Sequence, residues 1–308
     1  MPSSSPPNVT SSYTLLAFDA DGHLTARRTR TNTGIQSDVS FTAGADGRTL
    51  TIDVNWSGSA DSGGHPVTTI TFDAEGHEVK SEIEVDDKTF STTERAYDSA
   101  GRLVSETTCP GACNGSSSRT EFKYDQVGRL INEAYRAHPD SAPSWRVAYE
   151  YPAANVVRER YFGGDFIPRD SAMPESVPTR ITETTNDADG RPVEIVTTMP
   201  GAQKGGWGCS ECAMPGRIAI RYDKQGRVQD RTEYSPSGEP EAEDIYVYDA
   251  AGNTLSATHN IGRVQNAIKY SYDFDERGNW IRKETYRDNA DGSRTIWSIE
   301  KRTVTYYQ

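Results

Sequence analysis

Long apolar runs are absent from this sequence of 308 residues, and hydrophobic residues make up only 34% of it. A membrane-spanning helix needs about 20 consecutive apolar residues, so the composition excludes a helical membrane protein. The low hydrophobic content suits an antiparallel sheet with one face in water, because only alternate residues of each strand then need to be apolar.

Basic residues are also scarce, since 33 Lys and Arg stand against 45 Asp and Glu and give a net charge of -12. An acidic surface repels phosphate backbones and anionic lipids, so we expect no nucleic-acid partner and no membrane partner. Residues 1–12 lack the charged and apolar segments of a signal peptide, and their Ser, Pro and Thr content predicts a flexible tail. Two locations stay open: the cytoplasm, or an exported protein whose signal has been removed.

Helical and catalytic patterns are missing as well. No stretch shows a capped apolar stripe of helical period, which indicates an all-β chain. No Ser or Cys lies in a Gly-x-Ser-x-Gly setting. His23 and His77 replace an arginine in a repeated pattern and are interpreted as repeat substitutions. We therefore predict no catalytic residues and no enzyme activity.

The pattern is clearest at Tyr222-Asp223-Lys224-Gln225-Gly226-Arg227-Val228. Tyr222 and Val228 favour strands on either side, and Asp223 can cap its own turn. Gly226 stands where a type I turn followed by a bulge requires a positive φ. The stretch predicts the tip of a β-hairpin.

Copies of this stretch recur along most of the chain, and the turn glycines Gly226, Gly252 and Gly278 are each 26 residues apart. The near-complete copies are Tyr97-Asp98-Ser99-Ala100-Gly101-Arg102-Leu103, Tyr124-Asp125-Gln126-Val127-Gly128-Arg129-Leu130, Tyr248-Asp249-Ala250-Ala251-Gly252-Asn253 and Phe274-Asp275-Glu276-Arg277-Gly278-Asn279. Weaker copies are Phe18-Asp19-Ala20-Asp21-Gly22-His23, Ala45-Asp46-Gly47-Arg48, Phe72-Asp73-Ala74-Glu75-Gly76-His77 and Asn186-Asp187-Ala188-Asp189-Gly190-Arg191. A further copy at 151–156 would place Asn155 in the left-handed turn position. A period of this size indicates a repeat architecture.

These Tyr-Asp-x-x-Gly-Arg-Leu copies resemble the rearrangement-hotspot, or YD-repeat, family over roughly residues 13 to 290. The resemblance implies a long antiparallel sheet of hairpins that curves or winds into a spiral or shell. Large members of that family form hollow cocoons around toxin segments or adhesive modules on cell surfaces. This chain is too short for a large cocoon and lacks the Asp-Pro-x-Gly core segment, so toxin delivery and self-cleavage are not expected of it.

From the repeats we predict one all-β domain at 13–308 with about ten hairpins, preceded by the tail at 1–12. The predicted site residues are structural turn residues: Asp98, Gly101, Asp125, Gly128, Asp223, Gly226, Asp249, Gly252, Asp275 and Gly278. The expected function is a non-enzymatic scaffold whose curved surface binds or shields an unidentified protein or glycan. The family resemblance favours a secreted, periplasmic or cell-surface location over the cytoplasm.

The four cysteines form two short-spaced pairs, Cys109 with Cys113 and Cys209 with Cys212. Two pairs on glycine-containing turns could bind a structural zinc ion through four thiolates. Disulfide bonds in an exported protein explain the same spacing. Either interpretation gives the cysteines a structural role, and no other cofactor is expected.

Two further functions are compatible with parts of the sequence. Exposed aromatic side chains on a sheet could stack on sugar rings and make a carbohydrate-binding module, and the candidates are Trp145, Trp207, Trp280 and Trp297. A hydrolase with paired carboxylates is disfavoured because the turns explain the aspartates. The Asp-x-Asp-Gly stretches at 19–22 and 187–190 resemble part of a calcium loop, but Arg28 and Val196 stand where an EF-hand needs Glu. Segments 163–178 and 239–244 are predicted to be loops.

Overall fold

The computed structural model describes residues 12–19, 23–31, 36–57, 64–111, 117–163, 177–200, 216–262, 264–289 and 291–304. All regular secondary structure in these ranges is β-strand, and every pairing is antiparallel. The prediction of an all-β fold built from antiparallel hairpins is therefore confirmed. None of the described residues forms a helix long and apolar enough to cross a membrane.

The described residues form 21 strands, named here in chain order. The first ten are β1 Ser12–Phe18, β2 Leu24–Thr31, β3 Gln36–Ala43, β4 Thr49–Ser57, β5 Pro66–Phe72, β6 Glu78–Val85, β7 Lys88–Tyr97, β8 Leu103–Pro110, β9 Ser118–Tyr124 and β10 Leu130–Arg136. The next eleven are β11 Trp145–Ala153, β12 Val156–Gly163, β13 Arg180–Asn186, β14 Pro192–Thr198, β15 Arg217–Tyr222, β16 Val228–Tyr234, β17 Pro240–Tyr248, β18 Thr254–Ile261, β19 Val264–Phe274, β20 Trp280–Asp288 and β21 Arg294–Lys301.

The chain divides into two compact units. The first comprises Met1–Thr92, Tyr248–Ser256 and Ala267–Gln308, and the second comprises Thr93–Val247 and Ala257–Asn266. In the first unit each strand from β1 to β5 pairs with the next one, and β19, β20 and β21 pair in the same consecutive way. β1 also contacts β21.

In the second unit each strand from β8 to β16 pairs with its successor in the chain. The hairpin of β15 and β16 is typical: Arg221 pairs with Asp230 and Tyr222 pairs with Val228, so one residue of β16 bulges beside the turn. This bulge increases the local twist of the two strands. Because consecutive strands run in opposite directions, successive turns on the same edge of the sheet are separated by two strands.

Deeply buried apolar side chains are few among the described residues: Val39, Cys109, Ala134, Val147, Phe162 and Tyr286. Val39 and Tyr286 belong to the first unit, and the other four belong to the second. Most other strand residues are half-buried. Cross-strand ion pairs fill the sheet surface between them, for example Arg158 with Glu150 and Glu183 at 3.4 and 2.8 Å. Partly exposed pairs of this kind contribute little singly, about 0–1 kcal/mol each, so we attribute the sheet's stability to many small contacts.

Two local expectations were wrong. Asn155 does lie in the tip of the hairpin between β11 and β12, but it is not among the residues with positive φ. Its side-chain nitrogen instead donates to the carbonyl of Asn186 at 3.2 Å. The acidic run 239–244 is not a loop, because β17 begins at Pro240 and continues through it. In the other predicted loop, residues 164–176 lie outside the described part of the chain.

Candidate functional site: the turn motif and its contacts between repeats

The Asp223 turn shows what each residue of the motif does. Oδ1 of Asp223 accepts hydrogen bonds from the backbone N–H groups of Gln225 and Arg227 at 2.9 and 3.0 Å. Oδ2 accepts from Nε of Arg227 at 2.7 Å. Gly226 has φ 80° and donates its N–H to the Asp223 carbonyl at 3.0 Å. One carboxylate therefore holds both the backbone of the turn and the arginine that follows it.

The other predicted turn residues occupy equivalent positions. Asp98 and Asp125 bind Nε of the arginine four residues later at 2.7 and 2.8 Å. Asp249 binds the amide nitrogen of Asn253 at 2.8 Å, and Asp275 accepts the backbone N–H of Asn279 at 2.8 Å. The remaining turn glycines all have positive φ: Gly101 75°, Gly128 89°, Gly252 94° and Gly278 78°.

These contacts change the acidity of the turn aspartates. The hydrogen bond from the Arg102 side chain, together with two backbone N–H groups, lowers the pKa of Asp98 below its ordinary value. Arg191 lowers the pKa of Asp187 in the same way. At Asp249 the main cause of the lowered pKa is the hydrogen bond from Asn253, which carries no charge. Hydrogen bonding to the ionised form favours that form in each case.

The motif tyrosine acts between repeats. The hydroxyl of Tyr124 donates to the carbonyl of Leu103, which belongs to the preceding tip, at 2.8 Å. Tyr151 donates in the same way to Leu130 at 2.7 Å, and Tyr222 donates to Pro192 at 2.9 Å. Each acceptor is the residue directly after the arginine of the preceding motif. The tyrosine therefore links one hairpin tip to the tip before it.

The arginine of the preceding motif covers the same tyrosine ring. The guanidinium carbon of Arg102 lies 4.7 Å from the centre of the Tyr124 ring, and that of Arg191 lies 4.8 Å from the Tyr222 ring. Arg129 lies 4.3 Å from the ring of Tyr151. Such cation–π contacts contribute about 0.5–1 kcal/mol at exposed sites. We call this connected set of Asp, Arg and Tyr side chains the tip ladder.

One repeat keeps the ladder with a displaced tyrosine. The motif at 274–279 begins with Phe274, which has no hydroxyl. Tyr272, two residues earlier on the same face of β19, donates to the carbonyl of Thr254 at 3.0 Å. Thr254 directly follows Asn253 and therefore stands in the usual acceptor position. The backbone carbonyl that accepts the bond is therefore in its usual position, whereas the donating tyrosine lies two residues earlier in the strand.

Sequence reasoning missed the ladder's arginines. The sequence alone assigns no role to Arg102, Arg129 and Arg191, and the tyrosines are expected from it only to pack their rings and to reach solvent or a partner with their hydroxyls. The signal was present in the printed sequence, because the Asp that caps a turn and an Arg four residues later occur together in four of the nine copies. What the sequence could not show is that the next tyrosine lies under that arginine.

Of the four cysteines, Cys109 is 3% exposed and is disulfide-bonded. Cys113, Cys209 and Cys212 lie outside the described residues. The choice between zinc and disulfides for the whole set stays a prediction.

Neighbouring side chains cover two of the predicted sugar-stacking tryptophans. Trp145 is stacked between Tyr135 and Tyr161, with ring centres 5.6 and 6.1 Å away, so neighbouring side chains occupy both of its faces. Arg302 lies over the ring of Trp280 at 4.1 Å. Trp297 is 49% exposed, and Trp207 lies outside the described part of the chain.

Comparison with known proteins gives structural likenesses only. No family model and no curated protein matches the chain. The crystal structure of TcdB2-TccC3-TEV is 15% identical and matches with a TM-score of 0.46, covering 91% of this chain and 15% of that one. TcdB2-TccC3-Cdc42 is 12% identical, with a TM-score of 0.43 over 92% of this chain and 18% of that one. A Tc holotoxin pore from Photorhabdus luminescens is 12% identical, with a TM-score of 0.33 over 91% and 19%. This chain spans less than a fifth of each of them.

Proposed function

We propose that this chain is a non-enzymatic scaffold of the YD-repeat type, which presents strand surfaces that bind or shield another molecule. The observation that carries the proposal is the tip ladder. In the tip ladder the Asp, Arg and Tyr side chains of the repeated motif contact one another and form hydrogen bonds with the backbone. Because these contacts hold the hairpins together, we assign the Asp, Arg and Tyr side chains of the described tip ladder a structural role and not a catalytic one.

Apolar side chains that point into solvent support the binding role. Phe90 on β7 is 68% exposed, and Ile296 and Trp297 on β21 are 48% and 49% exposed. Apolar groups exposed on strands favour contact with another molecule, because burying them there removes apolar surface from water. We propose that the partner contacts strand positions such as these and leaves the charged turn tips in water.

Site-specific photo-crosslinking in the native host tests this proposal. In one set of cells a photoreactive phenylalanine analogue replaces Phe90 or Trp297. In a control set it replaces Val127, which lies at a turn tip and is 75% exposed. We expect a discrete crosslinked product from the strand positions and none from the turn tip. Adducts of equal yield at all three positions, or none at any, would contradict the proposed binding surface.

We further propose that the protein works outside the cytoplasm and that its cysteines form disulfides. The disulfide bond of Cys109 supports this, because such bonds persist mainly in oxidising compartments. Fractionation of cells that express the complete gene product tests the location. Mass spectrometry with and without reductant, together with zinc analysis, tests the cysteines; one equivalent of zinc with four titratable thiols would refute the disulfide assignment.

A further inference from the structure

The turn between β5 and β6 brings together three metal-ligand types. Asp73, Glu75 and His77 each offer one ligand atom, and these atoms all lie within 4.8 Å of one another. Oδ1 of Asp73 accepts the backbone N–H groups of Glu75 and His77 at 3.0 and 2.8 Å. Oδ2 lies 2.9 Å from Nδ1 of His77. The carboxylate is thus fixed through one oxygen, and its second oxygen faces the imidazole.

Another turn of the same chain shows what the first and third motif positions can hold. In the turn at 187–191 these positions are Asp187 and Asp189. Nη2 of Arg191 lies 2.7 Å from Oδ2 of each of them. Two carboxylates on one turn therefore clamp a single cationic group between them, and this cation is part of the protein.

In the turn at 73–77 the same two positions are Asp73 and Glu75, but the arginine is replaced by His77. A guanidinium is only a donor, whereas an imidazole nitrogen can act as a metal ligand. The substitution therefore replaces the built-in cation by a third ligand. The sequence repeats this combination once, as Asp19, Asp21 and His23, although Asp21 lies outside the described residues.

We propose that Asp73, Glu75 and His77 bind a divalent transition-metal ion at the place that the guanidinium takes in the turn at 187–191. Metal–ligand bonds of about 2.1 Å to two atoms 2.9 Å apart subtend an angle of about 90°, which suits neighbouring ligands of an octahedral ion such as Ni²⁺. The side chains of His77 and Asp73 are 32% and 27% exposed, so the ion can enter from solvent and keep water as its remaining ligands. This inference is independent of the proposed scaffold function.

Calorimetric titration of the full, tag-free chain with Ni²⁺ tests the site, after accessible thiols have been alkylated. The test variant is His77→Asn, because Asn253 occupies the equivalent position and donates to Asp249 Oδ2 at 2.8 Å, so the turn should be retained. The matched control is His65→Asn, since His65 also pairs with an aspartate, Asp53, at 2.6 Å but lies outside a motif turn.

We expect His77→Asn to lose one equivalent of Ni²⁺ or to raise its Kd at least tenfold, while His65→Asn leaves both values unchanged. The melting temperature in EDTA should be the same for all three proteins. If His77→Asn does not fold, Glu75→Gln replaces it and should weaken the same equivalent. Wild-type protein that binds no Ni²⁺, or a folded variant with unchanged stoichiometry and Kd, would overturn the proposal.

Discussion

Two glycines of the second unit allow the contribution of the tip ladder to be measured. Gly190 and Gly226 have φ values of 79° and 80°. A Cβ at Gly190 would meet nothing within 4 Å, whereas a Cβ at Gly226 would lie 2.5 Å from Nη1 of Arg191. Alanine at either position must adopt the left-handed region, at a cost of about 1–2 kcal/mol. Only Gly226→Ala must also displace Arg191.

The displaced arginine loses its place over Tyr222 and its pairing with Asp187, which lie 4.8 and 2.7 Å away. Since the guanidinium end is flexible, we count only the lost contacts, about 0.5–1 kcal/mol for the cation–π contact and about 0–1 kcal/mol for the ion pair. Gly226→Ala should therefore be about 1 kcal/mol more destabilising than Gly190→Ala. For a domain of this size the extra loss corresponds to roughly 2–4 °C in Tm.

Thermal and urea unfolding followed by circular dichroism measure the two variants. The same substitutions are then made in an Arg191→Ala background, where the difference between them should disappear because nothing remains to be displaced. Equal destabilisation of the two variants with Arg191 present, or a difference that persists without it, would refute the ladder as a source of stability.

Three further outcomes follow from the same contacts. Tyr124→Phe keeps the ring but removes the hydroxyl hydrogen bond to the preceding tip, so it should lower the free energy of unfolding by about 0.5–1.5 kcal/mol in urea titrations. The control is Tyr135→Phe, since the Tyr135 ring belongs to the aromatic stack. Equal losses of free energy in the two variants would contradict the assignment. Asp87 has φ 59° in the tip between β6 and β7, so Asp87→Gly should raise the free energy of unfolding by about 1 kcal/mol in the same assay. A lower free energy of unfolding would instead show that the Asp87 side chain stabilises the turn. Because the folded pKa of Asp98 and Asp187 lies below the unfolded value of 3.8, their stabilisation is present above about pH 4 and lost as the pH falls further. Tm measured from pH 7 to pH 2 should fall mainly below pH 4, and a flat profile would contradict this.

The fold was predictable because the repeat dominates the sequence. A turn residue, a glycine and flanking β-formers every 26 residues or so specify hairpins without any knowledge of long-range contacts. Prediction failed where the turn signal was absent or misleading. The tip at Asp86 and Asp87 has no glycine, although both residues have positive φ, at 51° and 59°. The turn before Pro240 uses Ser235 in place of Asp, and its oxygen accepts the N–H of Glu239 at 3.1 Å.

The candidate site was harder to predict than the fold. Asp223 and Gly226 follow from local turn chemistry, because the backbone conformation of a few residues decides their roles. The role of Tyr222 depends on Pro192, which lies 30 residues earlier in the chain. The three-ligand turn at 73–77 is visible in sequence only by comparison with the turn at 187–191, whose bridging arginine identifies the two positions that clamp a cation.

The tyrosine bonds all run in one direction. In the four examples, which start from Tyr124, Tyr151, Tyr222 and Tyr272, the later residue donates and the earlier residue accepts. During synthesis the acceptor carbonyl leaves the ribosome before its donor does. Each new hairpin of the second unit can therefore bind to one that has already been made, whereas the first unit, in which β1 contacts β21, is completed only after its last strands have been made.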